Sequence, residues 1–248
     1  MLPELLLALA FLLIAFLYAS VGFGGGSSYL ALLALAGLPF TEIRFTALVC
    51  NVIVVTGGVW VYWRNGQVDL KKVLPLVLVS VPAAYFGATL RLTEAVFFQL
   101  LGYTLLIAAL MLWFQPGSKQ TDKPAGSARP LRDGVLGGGV GWLSGMVGIG
   151  GGIFLSPLLF FLRWDTAQKI AATASVFILV NSLSGLAAQI AHWPQNLPWA
   201  RTAVLAAAVL IGGQTGSRLS NARFDRLTIR RLTALLVLVA GLHTLFKT

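Results

Sequence analysis

From residue 96 to residue 114 the chain runs without a charged side chain, and it does so again over 5–21, 45–63, 73–90 and 170–190. Each run approaches the roughly 20 apolar residues that a helix needs to cross about 30 Å of hydrocarbon. Shorter runs at 202–211, extended by small residues, and at 232–246 complete the series. A backbone in lipid must satisfy its own hydrogen bonds, and runs of this length do so as helices and not as barrel strands. Composition agrees: 57% hydrophobic and 10% charged side chains, with a mean hydropathy of +0.84, cannot clothe a 248-residue globule in water. The fold class is an all-α integral membrane protein. The N-terminal run carries Glu4 and lacks the basic residues of a signal peptide, so it is expected to be retained.

Glycine interrupts this pattern twice. Val21-Gly22-x-Gly24-Gly25-Gly26 recurs as Val147-Gly148-x-Gly150-Gly151-Gly152, 126 positions on, and nearby offsets extend the match. The chain is therefore read as two repeats, 1–115 and 134–248, which together form one structural domain. The polar, Pro/Gly/Ser-rich stretch 116–133 is a flexible cytoplasmic linker.

The apolar stretch after each break, 27–38 and 153–164, reaches only about 18 Å as a helix and cannot span alone. Two arrangements remain, a hairpin that enters and leaves on one side or a single discontinuous helix, and whether such a hairpin is re-entrant or fully spanning stays open. Charge favours the hairpin. A hairpin plus three transmembrane helices makes each repeat cross an odd number of times, so the two have inverted topology. The loops at 64–72, 115–133, 163–169 and 218–231 then share one side. They hold every Lys and Arg of the eighteen except Arg44, Arg91, Arg201 and Lys247. The positive-inside rule makes that side cytoplasmic and both termini external.

Non-helical backbone at membrane depth survives only where protein buries it or it lines a polar cavity. A helix that starts at such a break presents unpaired amides and the positive end of its dipole, which suits an anion. Inverted repeats bring two such ends together near the midplane, as in many secondary transporters. The expected binding residues are Gly22, Gly24, Gly25, Gly26, Ser27 and Ser28 in the first repeat, and Gly148, Gly150, Gly151, Gly152 and Ile153 in the second. Asn51 and Asn181, each within a long span after a break, complete the set. Arg44 and Lys169 open those spans and are expected in a vestibule that attracts anions.

Other chemistries find little support. Ser20-Val21-Gly22-Phe23-Gly24 resembles a carbonyl ion filter, but the second copy reads Met146-Val147-Gly148-Ile149-Gly150 and a third glycine leads into a helix. No intramembrane acid or histidine accompanies the buried amides and hydroxyls, so an enzyme is not expected. Neither a metal, a cofactor nor a catalytic residue is expected; Cys50 is alone and the two histidines are far apart in sequence. The scattered basic residues suit lipid headgroups and not nucleic acid. Tryptophan falls at span ends except Trp142, and small-xxx-small pairs such as Ala83/Gly87 and Gly212/Gly216 suit close helix packing.

Two ordered copies of VGxGGG, each followed by a short apolar run and a basic residue that opens the next helix, resemble the TauE/SafE sulfite exporter family over essentially the whole chain. The resemblance implies a transporter in the bacterial inner membrane that exports small sulfur-containing anions such as sulfite, sulfonates and sulfoacetate. Its partners would be the oxyanion and the bilayer. An ion channel, a structural subunit whose glycines serve packing, and a homo-oligomer stay open. The copies differ where Ser27-Ser28 faces Ile153-Phe154, so the half-sites need not bind equally.

Overall fold

The computed structural model describes residues 4–21, 24–115, 129–191, 199–218 and 226–247. Among these residues ten helices follow in order: α1 (Glu4–Val21), α2 (Gly26–Leu35), α3 (Phe40–Arg64), α4 (Leu70–Thr89), α5 (Glu94–Phe114), α6 (Pro130–Val147), α7 (Gly152–Phe161), α8 (Ala167–Ile190), α9 (Trp199–Arg218) and α10 (Arg226–Lys247). Among the described residues there is no strand. α3, α4, α5 and α8 are each long and apolar enough to cross a membrane. α6 begins inside the expected linker, so Pro130–Asp133 is helical, and proline suits that first turn because its missing N–H would have no helical partner there. Positions 116–128 of the linker lie outside the described residues.

The two short helices, α2 and α7, are 10 residues each, about 15 Å long. Each is folded back on the helix before it. A straight continuation would separate residues 11 and 29 by about 27 Å, yet the rings of Phe11 and Tyr29 stack with centroids 4.7 Å apart. In the second half Trp164 Nε1, just past α7, donates to Asp133 Oδ2 in the first turn of α6 at 3.1 Å. The end of one helix thus meets the start of the other. Both short helices also end on a left-handed residue at matching positions, Gly37 (φ 73°) and Arg163 (φ 47°).

Packing is largely between halves. α4 lies on α6, α1 on α9, α5 on α10 and α3 on α8. The first two pairs exchange if the halves are swapped, and the last two map onto themselves, the pattern of a pseudo-twofold axis through the α3–α8 contact. Glycine makes the exchanged pairs close. A Cβ on Gly141 of α6 would lie 2.6 Å from the Ser80 carbonyl of α4, and Gly137 and Gly145 abut the carbonyls of Leu76 and Ala84. Gly212 and Gly216 of α9 abut Leu12 and Phe16 of α1 in the same way. The small-xxx-small reading is the one the helices use.

Side-chain polarity is the reverse of that in a water-soluble globule. Leu78, Phe86, Ile107, Leu110 and Phe246 are exposed, whereas Thr46, Asn51, Ser80, Thr173, Ser175, Asn181 and Ser182 are buried. Trp60, Trp63, Trp113 and Trp199 face outward near helix ends, as membrane anchors do. Trp142 is exposed too, which removes it from any interior site. Trp164 departs from the anchoring expectation, because it is buried on Asp133. Trp193 lies outside the described residues.

Candidate functional site at the meeting of the two glycine breaks

The antiparallel crossing of α3 and α8 brings Leu48 against Gly185 and, one turn on, Asn51 towards Ser182. Both glycine breaks converge there. Asn51 Nδ2 donates to the Ile149 carbonyl of the second break at 2.9 Å, while its Oδ1 lies 3.0 Å from the point a Cβ on Gly24 would occupy in the first. One carboxamide therefore bridges the two. A Cβ on Gly26 would stand 2.6 Å from the Ile149 carbonyl, and one on Gly150 would stand 2.6 Å from Asn51 Nδ2 and 2.7 Å from Ser182 Oγ. Any side chain at these glycines would fill the space between the breaks.

The polar atoms around this centre are not all used. Among the described residues, Asn51 Oδ1, Ser182 Oγ and the Tyr29 hydroxyl are buried without a hydrogen-bond partner. An unpartnered buried polar group costs about 1–3 kcal/mol. Such groups collected at one point require an explanation. The helix ends match them. The N-cap glycines of α2 and α7, Gly25 and Gly151, offer no side chain to the first amides. By contrast Asp69 and Thr93 cap α4 and α5 in the ordinary way. The amides of the first turn have no partner within their own helix.

The two breaks differ in backbone. Gly148, Gly150 and Gly151 adopt φ of 85°, 81° and 82°, which only glycine does at little cost. Gly25 has φ of −89°. Gly22 lies outside the described residues. Gly151 faces the Phe177 ring and Gly152 the Ile178 side chain. Ser27 and Ser28 are buried, and Ser28 Oγ is hydrogen-bonded to the Tyr18 hydroxyl at 2.6 Å. Ile153 is half-buried against the core.

Three expected residues sit elsewhere than the centre. Asn181 turns to α4: its Nδ2 donates to Ser80 Oγ at 3.1 Å and to the Phe177 carbonyl at 2.8 Å. Arg44 is buried and not in an open mouth, with Nη2 donating at 3.1 Å to the carbonyls of both Ala88 and Gly145. It thereby clasps the C-terminal ends of α4 and α6, where the helix dipole favours a cation, and its Cβ lies 3.2 Å from the point a Cβ on Gly148 would take. Lys169 is half-buried in the first turn of α8. Among the described residues no group of His, Cys, Asp and Glu gathers as a metal site.

Sequence reasoning does not mark Tyr29 as a site residue, although the signal is present: helical side chains lean towards the N-terminus, so a residue four after the N-cap glycine covers that end of the helix. Ser182 is recognisable as a buried hydroxyl in the sequence, but only the α3–α8 register places it opposite Asn51.

A helical bundle with an apolar exterior, a polar centre and two glycine-broken helices meeting there is the architecture of a membrane transporter. The sulfite exporter TauE/SafE family profile matches residues 7–244, and the chain belongs to that family. It is 36% identical over 249 residues to "Probable membrane transporter protein y4hK" of Sinorhizobium fredii (strain NBRC 101917 / NGR234), covering 97% of each chain. It is 26% identical over 227 residues to "Probable membrane transporter protein ORF9" of Sinorhizobium sp, covering 87% of this chain and 86% of that one. No solved structure matches it.

Proposed function

We propose that this membrane transporter exports a small sulfur-containing oxyanion, of the sulfite, sulfonate or sulfoacetate class, across a bacterial inner membrane, and that the anion is held where the two breaks meet. The observation that carries the reading is the pair of buried hydroxyls without partners among the described residues, Ser182 Oγ and the Tyr29 hydroxyl, each able to donate, beside two helix N-termini that no side chain caps. First-turn amides and hydroxyls donate to an oxyanion without adding a formal charge to the protein. The enclosure of the centre supports a carrier over an open channel.

Residues 1–115 and 134–248 are the two repeats, inverted in the membrane, with the linker cytoplasmic and both termini periplasmic. Support comes from contacts at one end of the molecule. Lys72 Nζ pairs with Asp165 at 2.6 Å, and Trp164 reaches Asp133, so the loops around 64–72, 129–133 and 163–169 lie together. A discontinuous single crossing would have put the last of these on the opposite face from the first two. Arg201, Glu42 and Glu4 gather in a second cluster. Each cluster joins the two repeats.

Inside-out vesicles loaded by dilution into radiolabelled sulfite test the reading. Accumulation above vesicles lacking the protein, competed by unlabelled sulfite and sulfonates, is the expected result. Vesicles indistinguishable from the control would exclude sulfite as cargo.

A further inference from the structure

We propose that the Tyr29 hydroxyl is a hydrogen-bond donor to the transported anion at the first glycine break, which makes that break the stronger half-site. The inference rests on the oxyanion reading above and adds a ligand group to it.

Tyr29 is fully buried, and its ring is stacked on Phe11 with an interplanar angle of 22°. The stack fixes the ring so that the hydroxyl lies 2.6 Å from where a Cβ of Gly25 would be, at the N-cap of α2. The hydroxyl has no hydrogen-bond partner among the described residues. Its neighbour Tyr18 does have one, in Ser28, so the same pocket contains one satisfied phenol and one unsatisfied phenol. A phenol kept dry and unpaired is expensive as a packing element, since phenylalanine would fill the same volume without a polar atom to bury. Its place beside the N-cap glycine of α2 gives the oxygen a use: an anion that accepts from the first turn of α2 would lie beside a phenolic O–H.

The second break lacks the group. The residue four after Gly151 is Leu155, which is equally buried, and a Cβ on Gly151 would lie 2.7 Å from the Phe177 ring. Hydrocarbon therefore stands where the first break has oxygen. The difference between Ser27-Ser28 and Ile153-Phe154 has the same sense.

The test is Tyr29→Phe, which removes one oxygen and keeps the stack on Phe11. Two quantities are read on purified protein: thermal stability with and without sulfite, and the sulfite concentration that half-saturates flux in proteoliposomes. The expected result is an anion-free protein as stable as wild type or more so, a smaller stabilisation by sulfite, and half-saturation raised about tenfold, as for loss of a hydrogen bond to a charged group. A structural role would instead lower the stability of the anion-free protein and leave half-saturation unchanged, and that outcome overturns the proposal. Tyr29→Leu, which also loses the stack, shows the size of a packing defect on the same scale. If the wild type neither binds nor moves sulfite, the oxyanion reading falls and this inference with it. If wild type and Tyr29→Phe move sulfite with the same half-saturation, this inference falls alone.

Discussion

At the scale of single residues, the centre is defined by what cannot be added to it. Gly150 combines φ of 81° with neighbours at 2.6 and 2.7 Å from any Cβ, so alanine there meets both backbone strain, about 1–2 kcal/mol, and overlap with Asn51 and Ser182. Gly150→Ala is expected to remove most flux. Ser182→Ala separates a ligand role from a folding role, because the hydroxyl it removes has no partner to lose. Its expected outcome is unchanged abundance and thermal stability with reduced sulfite flux, measured in the same proteoliposomes. Full flux in Ser182→Ala would mean that the anion does not touch that oxygen.

At the scale of elements, glycine performs two different tasks that the sequence alone does not separate. On α6, a Cβ on Gly141 would lie 2.6 Å from the Ser80 carbonyl across the helix pair, whereas one on Gly139 would meet nothing within 4 Å. Gly141→Ala is therefore expected to lower the unfolding temperature in detergent, with overpacking costing about 1–3 kcal/mol, and Gly139→Ala to leave it unchanged or raise it. Equal behaviour of the two would contradict the close α4–α6 approach. The stripes themselves are legible from their spacing, as are the broken helices, because 12 apolar residues after VGxGGG are too few to span. Less of the centre is legible. Asn51 and Asn181 look equivalent in the sequence, yet one bridges the breaks and the other binds Ser80. That difference is set by the register of α3 on α8, a tertiary contact with no local signature. Arg44 reads as a vestibule charge in the sequence because the two helix ends it clasps, at Ala88 and Gly145, are distant in the chain.

At the scale of the whole molecule, the two ion clusters correspond under the exchange of halves. Lys72 opens α4 and pairs with Asp165 ahead of α8; Arg201 opens α9 and pairs with Glu42 at the start of α3. Each pair thus ties the fourth helix of one half to the third-helix entrance of the other. A carrier that exposes its centre to one side at a time must open either cluster while the other holds. Opening either end exchanges the ion pair for water around a carboxylate that the closed form buries, Asp165 at one end and Glu42 at the other. The prediction uses paired cysteines at 72 and 165, and separately at 42 and 201, in a Cys50→Ala background that leaves no native thiol. A disulfide needs Cα atoms within about 7 Å, and Lys72 reaches Asp165 through a long side chain, so a short bis-thiol reagent with a cleavable spacer is the better lock. Uncrosslinked, each pair of substitutions is expected to retain flux. Crosslinked, each is expected to stop it, with recovery when the spacer is cleaved, because a carrier held shut at either end completes no cycle. Full flux through protein crosslinked at both ends would show that neither cluster moves during transport, and the anion's route would then have to be sought away from the α3–α8 crossing.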